Sequence, residues 1–145
     1  MTRTRSEEEN LAIVRRRIEA FAGEGNVGLA DELFASDYVN HDPPFPDSTR
    51  AQLQQAIIQS RVGLPDVRIT IDDILAEEDR VVTRYTLRGT HQGELRGIPP
   101  TGRRVTLQGI VISRVADGKI VEEWNLSDKL GLFQQIGAFS RPGSG

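Results

Sequence analysis

His91, Glu122, Trp124 and Asp128 are the residues of this chain whose types and spacing suggest chemistry. The last three fall close together in VEEWNLSD, and His91 ends an earlier alternating run, VVTRYTLRGTH. A carboxylate, an imidazole and an indole held in an apolar pocket are the parts needed to remove a proton from carbon without a metal. Each residue also has a structural role open to it. Asp128 can cap the last helix, Glu122 can pair with an arginine such as Arg114, and Trp124 can be core. His91 can tie down the glycine-rich stretch that follows it, and His41 can pin the turn at Pro43 and Pro44.

These residues depend on the elements that carry them. Ser6 and Glu9 have capping-box spacing, and Leu11, Val14, Ile18 and Phe21 recur at helical intervals, predicting a helix over 6–22. Gly23, Gly25 and Gly28 break that pattern, and a short helix carrying Leu29, Leu33 and Phe34 follows before Tyr38. Thr49 and Gln52 offer a second capping box, with Leu53, Ala56 and Ile57 on one face. The period then changes to two. Val67, Ile69 and Ile71 alternate, as do Val81, Thr83, Tyr85 and Leu87, and strands over 103–115 and 119–126 meet at the hairpin signal Ala116-Asp117-Gly118. Asp128 opens a final helix through about Ile136. Helices followed by strands indicate an α+β fold with an antiparallel sheet covered by the early helices.

Alternation assigns faces. Val81, Tyr85, Leu87 and His91 share one face of their strand, opposite Arg84 and Arg88. Ile120, Glu122, Trp124 and Leu126 share a face, opposite Val121, Glu123 and Asn125. Following the apolar Ile120, Glu122 and Trp124 are expected to point inward with His91 and Asp128, all four bordering one pocket. The outward set Arg84, Arg88, Val121 and Glu123 mixes apolar and charged character, which suits a homodimer through the sheet.

The 145 residues fit one domain, with 1–5 and 140–145 expected to fray. A formal charge of −3 gives no electrostatic reason to expect nucleic acid or an anionic membrane as partner, and Arg15, Arg16 and Arg17 read as a solvated helix face. No apolar run approaches the ~20 residues that span a bilayer, so a soluble protein is expected, with the cytoplasm as its default compartment. The absence of cysteine removes disulfide and thiolate chemistry, and His41 and His91 lack the short ligand spacing of a metal site. No phosphate-binding loop or nucleophile elbow is present.

Tyr38-Val-Asn-His41-Asp42, Gly63-Leu-Pro-Asp66, Gly97-Ile-Pro-Pro-Thr-Gly102, Asp117-Gly-Lys-Ile120 with Glu122, Trp124 and Asp128, and Gln135-Ile-Gly137 together resemble the SnoaL-like polyketide cyclases, in their predicted ester cyclase branch. The resemblance covers roughly 11–138. It implies the fold shared with nuclear transport factor 2 and ketosteroid isomerase: a cone of helices on a strongly curved sheet around a cavity, commonly dimeric. It also implies ring closure by intramolecular aldol condensation on a small hydrophobic carbonyl compound, using an aspartate that corresponds by motif to Asp128. In that scheme Asp128 is the base, His91 or His41 meets the enolate oxygen, and no cofactor is required. Trp124, Glu122, Tyr85, Tyr38, Asn40, Phe34 and Gln108 are the candidate substrate contacts. Isomerisation, as in ketosteroid isomerase, and non-catalytic ligand binding are the alternatives the same fold allows.

Overall fold

The protein is described here from a computed structural model covering residues 2–137; Met1 and the expected frayed tail over 140–145 lie outside the described residues. Leu11, Val14, Ile18 and Phe21 are all buried, which is the outcome their helical spacing predicts. Each contributes about 1.5–3 kcal/mol by leaving water. Helix α1 spans Arg5–Arg16, and the chain continues as a π-helical segment over Arg17–Gly23. The capping box is formed by Thr4 and Glu7, two residues before the expected pair, so Thr4 and Arg5 belong to the helix start rather than to a frayed end. A short α2, Ala30–Leu33, precedes β1, Phe34–His41. Helix α3, Arg50–Gly63, begins at Thr49 with the expected Thr49–Gln52 box.

Strands β2 (Arg68–Glu77), β3 (Arg80–Thr90), β4 (Arg104–Ala116) and β5 (Lys119–Ser127) form an antiparallel sheet, and α4, Lys129–Gln135, follows Asp128. The hairpin between β4 and β5 turns at Asp117 and Gly118, both at positive φ, as its sequence signal requires. The sheet order is β1-β5-β4-β3-β2, with β1 added parallel to β5 at the edge. That strand is absent from the sequence reading because Phe34-Ala-Ser-Asp-Tyr-Val-Asn-His does not alternate cleanly, and its pairing slips between Phe34 and Val39. The helices close over the concave face of the sheet. Among the described residues no helix is long and apolar enough to cross a membrane.

One irregularity decides what the sheet presents to the interior. Val115 pairs with Ile120, but Arg114 pairs with Glu122, so Val121 is the extra residue of a β-bulge. Ile120 points inward and is fully buried. Past the bulge the phase is inverted: Glu123 is fully buried, while Leu126 is 65% exposed. The expectation that Glu122 and Trp124 face inward with Ile120 is therefore corrected, and so is the placing of Glu123 on the exposed face. Glu122 and Trp124 do share a face, but it is the outer one.

Candidate active site

The concave face and the helices enclose a cavity of about 310 Å³. Its apolar wall comes from Leu53, Ala56 and Ile57 of α3, the face that helical spacing singled out, and from Ile69, Leu107 and Val111 of the sheet. Its polar groups include Arg17, Asn40, Asp42, Tyr85, Asn125 and Lys129. Phe45 and Arg96 come from the two loops at the wall, with the Arg96 guanidinium 4.4 Å from the Phe45 ring centre.

Tyr85 is placed by a glycine. It pairs with Gly109 across β3 and β4, and a Cβ at Gly109 would lie 2.5 Å from the Tyr85 hydroxyl. The bare backbone lets the phenol lie across the sheet and donate to Asn125 Oδ1 on β5 at 3.1 Å. Burial raises the Tyr85 pKa, and the charge of Arg17 opposes that rise. Asn40, on β1, is 5% exposed, and its Oδ1 has no hydrogen-bond partner among the described residues. Asp42, just beyond β1, accepts from Lys129 Nζ at 2.6 Å. The same ammonium is 3.2 Å from the Pro43 carbonyl and 3.2 Å from Ser127 Oγ. Asp42 is the one carboxylate among the described residues that line this cavity.

The residues expected to border a single pocket are instead divided. Of the candidates, Tyr85 and Asn40 line the cavity. Trp124, Asp128 and Gln108 line a separate groove on the outer face of the sheet, with Ile110, Ile112 and Leu126. Asp128 is exposed there and accepts from the Gly131 amide at 2.9 Å, so it caps α4 and does not reach the interior. Glu122 takes hydrogen bonds from Arg114, at 3.2 Å, and from His41 Nε2, at 2.7 Å. The second nitrogen of His41 engages Asp47 at 2.9 Å, and its ring stacks on Trp124 with centres 5.6 Å apart. These hydrogen bonds to Glu122 and then Asp47 raise the His41 pKa, and the bond to His41 is the leading cause of the lowered Glu122 pKa. With both ring nitrogens bound on the outer face, His41 is not positioned to meet a ligand in the cavity.

His91 is fully buried and is likewise corrected as a cavity group. Its Nε2 lies 3.2 Å from the Ile98 carbonyl, which can only accept, so Nε2 carries the proton. Nδ1 then accepts from Thr101, whose hydroxyl is 2.9 Å away. The histidine fastens the loop between β3 and β4. Phe34 and Tyr38 are core: Phe34 packs edge-on against Phe21 and Tyr38, at 5.1 and 4.7 Å between ring centres. The Tyr38 hydroxyl donates to Glu123 at 2.6 Å, and its pKa is raised by burial and then by that carboxylate.

The groups that sequence reasoning missed are Arg17, Asp42, Asn125 and Lys129. Arg17 was legible in principle, because it lies three residues after Val14 and four before Phe21, on the buried stripe of the helix. Asn125 was masked by the bulge. Asp42 and Lys129 sit just outside regular strands, where alternation assigns no face.

The geometry can be set beside known proteins. A family model described as SnoaL-like polyketide cyclase matches residues 12–136. Aklanonic acid methyl ester cyclase DauD from Streptomyces sp. (strain C5) is 31% identical over 137 residues, covering 86% of this chain and 80% of that protein. Among solved structures, AclR, a putative hydroxylase from Streptomyces galilaeus, superposes with a TM-score of 0.83 at 27% identity over 93% of this chain and 85% of its own. IdmH, a putative polyketide cyclase from Streptomyces antibioticus, gives 0.77 at 34% identity over 88% and 98%.

Proposed function

This chain belongs to the SnoaL-like polyketide cyclase family, and on that ground we propose that it is a cofactor-free cyclase whose reaction takes place in the inner cavity. The observation that carries this reading is the placement of Asp42 and Lys129, 2.6 Å apart, in the wall of an otherwise largely apolar chamber. The substrate is a small hydrophobic carbonyl compound with a methylene flanked by carbonyl groups and a second, internal carbonyl. Asp42 takes a methylene proton, leaving an enolate. The enolate carbon attacks the internal carbonyl carbon, a carbon–carbon bond forms, and the electron pair of that carbonyl moves to oxygen. Lys129, still held by Pro43 and Ser127 when Asp42 is protonated, polarises the receiving carbonyl. Asp42 returns its proton to the new alkoxide, so the product is an isomer of the substrate.

A chamber of about 310 Å³ is at the small end of the ~300–1,000 Å³ range of ligand sites. The ester in the name of the similar cyclase, aklanonic acid methyl ester, is the first substrate to try. The test is to incubate the protein with that ester, and with smaller β-keto esters bearing a pendant ketone, in deuterated water. Ring closure to a product isomeric with the substrate, faster than in protein-free buffer, is expected, with no hydrogen added from solvent to the carbon that forms the new bond. Methylene exchange faster than in protein-free buffer but without ring closure would point to an isomerase, and binding with neither would point to a carrier.

The outer groove, with Ile110 47% and Leu126 65% exposed, is read as the contact between two copies of this chain. Arg84 and Asp128 flank its apolar strip, so a two-fold axis can set unlike charges opposite each other. Sedimentation at tens of micromolar should give a dimer, and Leu126→Asp should give a monomer with unchanged circular dichroism. A wild-type monomer at that concentration contradicts the dimer.

A further inference from the structure

Arg15, Arg16 and Arg17 are consecutive, yet only the third turns inward, at 4% exposure. It opens the π-helical segment and lines the cavity. Its Nε donates to both Glu123 oxygens at 3.2 and 3.1 Å, and Nη2 donates to Oε1 at 3.1 Å. Glu123 also accepts from the Tyr38 hydroxyl and from Ser113 Oγ, each at 2.6 Å. The carboxylate is thus saturated and has nothing to offer a ligand.

The guanidinium is not saturated. Its hydrogen bonds among the described residues use Nε and Nη2 and leave Nη1 unengaged, and the residue lines the cavity. Two of its three nitrogens are fixed by the carboxylate behind it, so the third is a donor oriented before any ligand arrives. A donor of this kind, in a site screened from water, stabilises charge that develops on an oxygen. Fully burying an ion pair is costly, and packing alone would be served as well by apolar residues of similar volume.

We propose that Arg17 is the donor that receives the enolate oxygen of the substrate, and that Glu123, backed by Tyr38 and Ser113, is a positioning residue that fixes the guanidinium at the cavity wall. This rests on the reading of the cavity as the site of carbon-acid chemistry. A lysine cannot replace the arginine, because one ammonium cannot present a fork to Glu123 and a donor to the chamber at once.

The probe is 2-naphthol, a bicyclic stand-in for an enol whose ionised form has its own absorbance. Its ionisation is titrated on the full-length protein, with amide shifts of Tyr85 and Asn125 reporting its location. Naphtholate should bind about tenfold or more tightly than neutral naphthol, seen as ionisation at lower pH than in water. Tyr38→Phe removes one restraint on Glu123 and should reduce that preference several-fold while leaving the affinity for neutral naphthol unchanged; a purely structural role would weaken both alike. Arg17→Lys should abolish the preference. If that variant does not fold, the paired change Arg17→Met with Glu123→Gln leaves no unmatched charge and should abolish it too. The proposal is overturned if bound naphthol ionises no more readily than free naphthol, or if the variants keep the wild-type preference. Naphthol that binds without moving the Tyr85 and Asn125 signals overturns the cavity reading along with it.

Discussion

Asp42→Asn should lower kcat for ring closure by about 10²–10⁴-fold, the range expected for removal of a general base. Asparagine preserves the shape of the side chain and one acceptor oxygen, so Lys129 keeps a partner and KM should change little. Asp128→Asn, assayed beside it, should leave turnover within about threefold, because that carboxylate is exposed on the outer face and asparagine also caps helices. The comparison separates two aspartates that are equally plausible from residue type alone. A large loss in Asp128→Asn with full activity in Asp42→Asn would place the chemistry in the outer groove.

The second large effect is on stability. Glu123→Ala leaves the Arg17 guanidinium buried without its counter-charge, and should destabilise the fold by about 3–5 kcal/mol. Burial by itself pulls the Arg17 pKa down; Glu123, together with Tyr38 and Tyr85, more than reverses that, and the net shift is upward. Removing the carboxylate therefore strands a cation that cannot readily discharge. For a domain with a total stability of about 5–15 kcal/mol this is a large share. Glu122→Ala is the control on the next residue. Its partners His41 and Arg114 are part-exposed, at 28% and 35% of their side chains, and the pair interactions there are worth about 0–1 kcal/mol each. Urea unfolding of the two variants should separate them clearly, and equal midpoints would contradict the buried network.

The helices and most strands were legible because their signals are local. The Thr49–Gln52 box, the buried stripe from Leu11 to Phe21 and the Asp117-Gly118 turn are set by neighbouring residues, and the structure realises each. The inward phase of β3 was also legible, since Val81 and Thr83 are buried and Tyr85 and Leu87 line the cavity. The site failed to emerge at one residue. Alternation carried through Val121 gives the wrong face for every later residue of β5, because a single bulge inverts a period of two. That inversion moved Glu122, Trp124 and Asp128 outside and brought Glu123 and Asn125 in. Glu123 looked exposed because a buried carboxylate needs a buried cation, and its cation is 106 positions away in sequence, within a run of arginines that otherwise faces solvent. His91 was assigned to the correct inward phase, but its ring is occupied by Thr101 and Ile98, contacts made by a loop whose course no periodicity describes.

The most direct measurement of where the reaction occurs is a crystal structure of the Asp42→Asn protein with an open-chain β-keto ester bound. The ester should lie in the inner cavity between Tyr85 and the substituted side chain at position 42, with its enolisable carbonyl toward Arg17 and its internal carbonyl toward Lys129. An ester seated on the outer face instead, against Trp124 and Asp128, with the inner cavity filled only by water, would contradict it.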